Sequence, residues 1–372
     1  MFKEKSAFVR EKVGMRHILA AFAIACIGFA LLQATKSSSW YPLHEIQLRA
    51  AFRMEQAELV LKKSLASEGI PIETEMDPNM TGLIGPEWTA LTTTLGNLEA
   101  KRSTLNPNFA ALMVRYFHEA GLEAGDVVAI GASGSFPGLT IAALCAAREM
   151  KLQALTIASF GSSMYGATRP EFTIPKMMRI LSDASIIPSS LLAVSPGSDQ
   201  DYGQSALFED SRAIINDLAR EAGVEFIDFD PPDLEASIAR RLQLFGENAG
   251  GKKIKCFVNV GGASSNNGTS SYTLDFPQGL VIKPPRIPTS ADRGLVYEFA
   301  SQGVPVINLL NVRLLADMNG LPYDPVPLPR AGEGGVYRTV RYSKPLIAAV
   351  LAMSIGLLAV AAAKSRKITH FG

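Results

Sequence analysis

The chain has 372 residues, of which 47% are hydrophobic and 19% are charged. This composition is sufficient for a large buried core and excludes a disordered or low-complexity chain. The 36 Lys and Arg residues are balanced by 35 Asp and Glu residues, which gives a formal net charge of +1. Because so small a charge provides no overall field for a polyanion, the composition gives no support to nucleic-acid binding.

Two uncharged apolar segments lie near the ends of the chain. Residues 18–34 read ILAAFAIACIGFALLQA, and residues 345–363 read PLIAAVLAMSIGLLAVAAA. At 1.5 Å per helical residue, each segment approaches the length needed to cross a hydrocarbon core of about 30 Å. We therefore expect two transmembrane helices. A cleaved signal peptide is the alternative for the first segment, although Leu32-Gln33-Ala34 lacks the small residue that a cleavage site requires at its −3 position.

Basic residues flank both segments on the sides nearest the chain ends, and the distribution of Lys and Arg orients membrane helices. They are Lys3, Lys5, Arg10, Lys12 and Arg16 before the first segment, and Lys364, Arg366 and Lys367 after the second. We predict cytoplasmic tails at residues 1–17 and 364–372, with the central region outside the cytoplasmic membrane, in the periplasm or at the cell surface. The bias is weaker for the second segment, because basic residues also precede it.

Residues 37–122 have the pattern of a helical preface. Residues 40–69 carry apolar residues at helical spacing, which predicts an amphipathic helix. A second helical stretch is predicted from near Pro86 through LTTTLGNLEAK, and a third from Asn106 as its N-cap.

Residues 126–318 alternate short apolar runs such as DVVAIGA with helical stretches such as LTIAALCAAREM. Apolar runs without polar alternation are typical of strands covered on both faces. The repeated strand–helix order therefore predicts an α/β domain, a three-layer αβα sandwich with a mostly parallel sheet. Residues 319–344 are rich in Pro and Gly and predict an extended linker back to the second apolar segment.

Gly and Ser are concentrated after the predicted strands, at the edge where open parallel sheets bind ligands. The loops read GASGSFPG at 131–138, SFGSSMYG at 159–166, SPGSDQDYG at 195–203 and GGASSNNG at 261–268. Glycine lets backbone N–H groups surround an anion, so we expect a pocket for a carboxylate or phosphate. The alternative is that these residues only turn the chain and cap helices. The expected ligand-binding residues are Gly131, Gly134, Gly138, Ser162, Ser163, Asp199, Asp201, Gly261, Gly262, Ser264, Ser265, Asn266 and Asn267.

Charged residues near the loops add to this expectation. Arg169, Lys176 and Arg179 follow the second loop and are candidates to meet an acidic ligand, with a solvated helix face as the alternative. The pair Asp199 and Asp201 is suited to a metal or to acid–base chemistry, although Asp beside Gly and Pro is first of all a turn former.

Named catalytic motifs are missing, but a serine nucleophile remains open. The glycines of the first loop do not form GxGxxG, the chain has no GK[ST], and Ser135 stands where the second glycine of GxSxG belongs. Ser133 and Ser135 are the candidate nucleophiles, with backbone N–H groups of the same loop as the oxyanion hole. The candidate bases are His118 or a lysine such as Lys176, since no His follows Ser133 until His370 in the C-terminal tail.

The cysteines have no metal-binding spacing, and neither a metal nor another cofactor is predicted. Cys145 and Cys256 can pair in an oxidising compartment, but buried free cysteine is the commoner outcome.

The layout of span, helical preface, GASGSFPGLTIA, SFGSSMYGAT and NVGGASSNNG loops and closing span resembles the poly-γ-glutamate system proteins. The resemblance covers most of the chain. It implies a role in making, exporting or anchoring a γ-linked glutamate polymer at the cell surface, beside a membrane-bound synthase complex, and it implies no particular catalytic residues.

Three functions follow from these expectations. The first is an accessory membrane protein of poly-γ-glutamate production, whose outer domain binds or guides the anionic polymer. The second is an extracytoplasmic serine hydrolase or transferase that acts on γ-glutamyl chains. The third is a non-catalytic scaffold that holds a membrane complex together.

Overall fold

A computed structural model describes residues 14–368 except 206, 270–271, 273–274, 285 and 291–292, with side chains up to residue 363. Much of the two predicted cytoplasmic tails, residues 1–13 and 369–372, lies outside the described residues. The helices are α1 Met15–Thr35, α2 His44–Ser67, α3 Leu98–Ser103, α4 Asn108–Glu119, α5 Pro137–Glu149, α6 Ile174–Asp183, α7 Ser211–Ala222, α8 Leu234–Asn248, α9 Ser264–Asn267, α10 Gly294–Ser301, α11 Val312–Asn319 and α12 Lys344–Ile368.

The central region is built on a seven-stranded sheet in the order β7-β6-β4-β3-β8-β10-β9. Its strands are parallel except for β9, which pairs antiparallel with β10 and was not expected from the sequence. Two further pairs, β1 with β11 and β2 with β5, lie outside this sheet. The strands are β1 Ser37–Trp40, β2 Thr92–Thr94, β3 Val127–Ala132, β4 Gln153–Ser159, β5 Ser162–Ser163, β6 Leu191–Ser195, β7 Glu225–Phe226, β8 Ile254–Val260, β9 Gly279–Val281, β10 Val306–Leu309 and β11 Arg338–Arg341.

Both faces of the sheet are buried, which is why its strands read as unbroken apolar runs. Val128 and Ile130 of β3 belong to one core cluster, together with residues of α2, α4, α5 and α6. Val127 and Ala129 of the same strand belong to a second cluster, with residues of α8 and α10. Successive strand side chains point to opposite faces, so each face has its own helices. The predicted mostly parallel α/β sheet is confirmed.

The end segments form a compact unit of their own. The helices α1 and α12 pack closely, since a side chain at Gly28 would lie 2.5 Å from Val350. Strand β1 pairs antiparallel with β11, from Ser37 opposite Arg341 to Trp40 opposite Arg338. Both helices are long and apolar enough to cross a membrane. Few of their residues are buried, whereas most residues of an apolar core helix would be.

The preface contains helices α2, α3 and α4, but the helix predicted from near Pro86 begins later than expected. Thr92–Thr94 form β2, which pairs with β5, and α3 starts only at Leu98. Three consecutive β-branched residues favour an extended strand. In addition, a Cβ on Gly96 would lie 2.4 Å from the carbonyl oxygen of Met164, so this close approach requires a glycine.

Residues 320–337 cross the surface of the central domain instead of forming the extended linker expected from their composition. Val336 and Tyr337 are buried, and the hydroxyl of Tyr337 donates a hydrogen bond to Oδ1 of Asn108 on α4. Arg102 on α3 holds Asp324 through two hydrogen bonds, of 2.7 and 2.6 Å.

Candidate active site

A cavity of about 950 Å³ opens at the carboxyl ends of the sheet strands. It lies where the strand order reverses, because the chain runs from β3 outward to β7 on one side and returns to add β8 on the other side of β3. Ligands of open α/β sheets bind at such a reversal. The expectation that the Gly/Ser loops share one rim agrees with this geometry. The predicted residues that line the cavity are Ser133, Ser135, Ser163, Asp199, Gly262 and Ser264.

A buried lysine that was not predicted also lines this cavity. Lys101, on α3, has its Nζ atom 2.6 Å from Oγ of Ser163 and donates to the backbone oxygen of Ser135. The same nitrogen lies 4.1 Å from the centroid of the Phe136 ring. Lys101 is only 2% exposed, so its amine is shielded from bulk water and directed at a serine hydroxyl.

Burial lowers the pKa of the Lys101 amine to about 7. The cause is removal from water, which disfavours the charged form. An exposed lysine stays protonated until about pH 10. At neutral pH, a substantial fraction of Lys101 is therefore the neutral amine, which can accept a proton from the hydroxyl beside it.

The backbone of Ser163 is fixed from two sides. Ser163 lies in β5, opposite Thr94 of β2, and its N–H donates to Oγ of Ser135 at 3.0 Å. The neighbouring Ser162 is fully buried and its Oγ donates to the backbone oxygen of Ser163, so it supports the strand and does not line the cavity. This framework holds the Ser163 hydroxyl against Lys101.

Three N–H groups of the loop at 131–138, where the sequence predicts an oxyanion hole, already have acceptors. Ser133 donates to Val260, Gly134 donates to Gly161, and the N–H of Ser135 donates to Oγ of Ser133 at 3.3 Å. Ser133 itself is buried.

The N–H groups of Gly262 and Ala263 differ from these three N–H groups of the first loop. Both residues line the cavity, and in the described part of the chain neither N–H donates to a protein acceptor. These two groups are available to an oxygen of a ligand.

The bases considered for Ser133 are not among the residues that line the cavity. His118 is exposed at the end of α4. Lys176 forms an ion pair of 2.6 Å with Glu68, and together with Arg179 it lines a different groove. Arg169 is buried and donates to the backbone oxygen of Ile84 at 2.6 Å. These cations therefore hold other parts of the chain and do not extend the site.

The two aspartates of the third loop have different surroundings. Asp201 is buried in an ion pair with Arg241, while Asp199 lies at the rim of the cavity. Oδ1 of Asp199 accepts a hydrogen bond of 3.2 Å from Oγ of Ser264, which links the third and fourth loops. Among the residues that the structure describes, no group of three or more His, Cys, Asp or Glu side chains is arranged to hold a metal.

The remaining residues of the fourth loop are buried beneath the rim, where the asparagines hold the loop to β3 and to itself. Asn266 donates to the backbone oxygen of Gly131 at 2.9 Å, and Asn267 donates to that of Gly261 at 2.9 Å. Ser265, like both asparagines, is buried and does not line the cavity.

The predicted glycines outside the cavity lining permit close packing. A Cβ would lie 2.4 Å from the Asn266 side chain at Gly131, 2.4 Å from the Thr104 oxygen at Gly138, 2.9 Å from the Phe160 oxygen at Gly134 and 2.0 Å from the Ser133 hydroxyl at Gly261. For these four glycines, the packing interpretation explains the residue type better than an anion cradle does.

No protein-family model matches the chain, and searches of curated proteins and of solved structures also gave no match.

Proposed function

We propose that the protein is a serine-type acyl-transfer enzyme, a hydrolase or a transferase, with Ser163 as the nucleophile and Lys101 as the general base. The observation that supports this proposal is the 2.6 Å contact between Lys101 Nζ and Ser163 Oγ at the edge of the cavity. The lowered pKa of Lys101 supplies a base in a cavity that none of the described histidines lines.

The reaction follows from these groups. The neutral amine of Lys101 accepts the hydroxyl proton while Oγ of Ser163 attacks the carbonyl carbon of an amide or ester. The carbonyl oxygen becomes an oxyanion, which the N–H groups of Gly262 and Ala263 are available to stabilise. When the tetrahedral intermediate collapses, the Lys101 ammonium returns the proton to the leaving amine or alcohol. Water or an acceptor amine then attacks the acyl-serine and releases Ser163.

For the substrate, we propose an amide-linked glutamate chain, the class that the resemblance to the poly-γ-glutamate system proteins implies. A role limited to guiding the polymer is less well supported, because the cations considered for it, Arg169, Lys176 and Arg179, have partners elsewhere on the domain.

For the setting, we propose that α1 and α12 cross the cytoplasmic membrane and hold a three-layer αβα sandwich on its outer side, beside a synthase complex. Their length and apolar composition support the two spans, and the basic residues at their chain-end sides support the orientation.

The acyl-transfer proposal is tested with a neutral fluorophosphonate probe on the full-length chain in detergent. The probe should form a covalent adduct that peptide mass spectrometry locates at Ser163. Ser163→Ala and Lys101→Met should each abolish labelling, the first by removing the nucleophile and the second by removing the base.

The serines suggested by the sequence provide the contrast. An adduct at Ser133 or Ser135 would show that this serine, and not Ser163, is the nucleophile. An unlabelled wild-type chain would contradict the enzyme proposal. Equal thermal unfolding midpoints for the wild type and Ser163→Ala would show that loss of labelling is not loss of the fold.

A further inference from the structure

One cationic side chain of the cavity has no role in the proposed chemistry. Arg313 lies in the first turn of α11 and lines the cavity, with its guanidinium carbon 3.8 Å from the centroid of the Tyr323 ring. Among the described residues, no carboxylate lies within ion-pair distance of Arg313. Arg102, the residue after Lys101 on α3, is instead neutralised by Asp324.

The ring beneath Arg313 is held in place by the helix that carries the catalytic lysine. The hydroxyl of Tyr323 donates to Oδ1 of Asn97 at 2.8 Å, and the same oxygen caps α3 by accepting from the N–H of Ala100. The next residue, Asp324, is fixed to α3 by Arg102. A single short helix therefore positions both Lys101 and the platform of Arg313.

The other polar groups near Arg313 are already in use. Oε1 of Gln278 accepts from the N–H groups of Leu310 and Asn311 at 3.1 and 2.8 Å, and Oδ1 of Asn311 caps α11 at the N–H of Leu314. Asp199 is the acidic side chain among the described residues that line the cavity. Its charge repels an anion and so favours placement of that anion at Arg313.

We infer that Arg313 is a specificity-determining residue that binds a carboxylate of the substrate. The inference rests on the proposed acyl transfer in this cavity and adds that the substrate carries a carboxylate close to the bond that reacts. Arg313 also hydrogen-bonds the Tyr323 side chain, but a guanidinium has five N–H donors, and a remaining pair matches the two oxygens of a carboxylate. Because Arg313 is exposed, the contact is expected to contribute no more than about tenfold to the affinity for a carboxylate.

The test measures binding of glutarate and of its neutral isostere glutaramide to the full-length chain in detergent, by ligand-observed NMR titration. Glutarate should bind with about tenfold lower affinity to Arg313→Gln than to the wild type, which corresponds to the loss of one charge-assisted contact. Arg313→Lys should fall between them, because the ammonium keeps the charge but loses the planar fork. Glutaramide should bind weakly and equally to all three chains.

A matched control is available elsewhere on the surface. Arg286 stacks on Tyr272 with 4.3 Å between its guanidinium carbon and the ring centroid, and it does not line the cavity. Arg286→Gln should bind glutarate with wild-type affinity. Thermal unfolding midpoints of both glutamine variants would show that the fold is retained.

The inference is overturned if the wild type does not bind glutarate, if Arg313→Gln binds it as the wild type does, or if glutaramide binds equally well. It is also overturned if Lys101→Met, and not Arg313→Gln, loses glutarate, since the carboxylate would then sit on Lys101. If Ser163 of the wild type is labelled but glutarate binding does not depend on Arg313, only this inference is refuted. Arg313-dependent binding without labelling refutes the acyl-transfer proposal and leaves the carboxylate site.

Discussion

Asp201 and Arg241 form an ion pair of 2.8 Å beneath the rim of the cavity, and each side chain is only 3% exposed. Oδ1 of Asp201 also accepts from the N–H of Gly197 at 3.0 Å and from Oγ of Ser195 at 2.9 Å. The pair therefore ties the loop after β6, which carries Asp199, to the body of the domain.

Asp201→Asn should reduce the free energy of unfolding by roughly 3–5 kcal/mol, because it leaves the charge of Arg241 buried without a counter-ion. Urea denaturation of the full-length chain in detergent measures this loss. The pair Asp217 and Arg220 serves as the control, because both side chains are exposed on α7. Asp217→Asn should cost less than about 1 kcal/mol, since surface pairs contribute little. Equal losses would mean that Asp201 is not buried as described.

The rate of Ser163 labelling should rise with pH and level off, with its midpoint at about pH 7, where burial places the pKa of Lys101. Below the midpoint the ammonium cannot accept the serine proton, and above it the neutral amine can. The measurement is the pseudo-first-order rate constant for fluorophosphonate adduct formation as a function of pH, from about pH 5.5 to about pH 9.

A histidine is the usual cause of a midpoint near neutrality, so His118→Gln is the matched control. His118 is exposed and does not line the cavity, and its replacement should leave both the plateau and the midpoint in place. A midpoint that disappears in His118→Gln, or a wild-type rate that is flat across the range, would contradict the role of Lys101.

The position of the cavity could be predicted from the sequence, but the reactive pair could not. Apolar runs such as residues 127–132 indicate parallel strands buried on both faces, and the carboxyl ends of such strands share an edge. Ser163 is among the predicted ligand-binding residues for that reason. Lys101 ends the predicted helical stretch LTTTLGNLEAK, and nothing in its neighbours along the chain indicates burial.

What buries Lys101 is long-range pairing. Strand β2 pairs with β5 and brings α3 over the rim, although the sequence predicts that the three threonines of β2 belong to a helix. The same limit applies to Asp201, whose partner Arg241 is 40 residues further along the chain on α8. The local sequence indicates which residue types follow the strands. It does not indicate which distant helix or strand supplies their hydrogen-bond and ion-pair partners.

Lys101→Met should make the protein more stable, although it removes the proposed base. Lowering the pKa from about 10.5 to about 7 corresponds to a penalty of roughly 3–5 kcal/mol when the residue is protonated in the unfolded chain. We expect Lys101→Met to recover roughly 1–3 kcal/mol at pH 7, because the methionine keeps the shape and loses the hydrogen bonds.

The gain from Lys101→Met should depend on pH with a defined sign. Between pH 7 and pH 10.5 the unfolded chain binds the lysine proton and the folded chain does not, so wild-type stability rises with pH through this window. The advantage of the variant is therefore largest at or below pH 7 and shrinks toward pH 10. Urea denaturation of both chains at several pH values measures it, and a constant difference would contradict the burial of a titrating amine.

Gly261→Ala should destabilise the protein through a clash that a second substitution relieves. The backbone at Gly261 has a φ of +90°, and an added Cβ would lie 2.0 Å from Oγ of Ser133. We expect a loss of roughly 2–4 kcal/mol in the free energy of unfolding. In a Ser133→Ala background, the nearest Ser133 atom is Cβ at 3.3 Å, so mainly the backbone strain of about 1–2 kcal/mol should remain. Gly223, with a φ of +67° and no atom within 4 Å of an added Cβ, isolates that strain. If Gly261→Ala costs the same in both backgrounds, the Ser133 hydroxyl does not pack against Gly261.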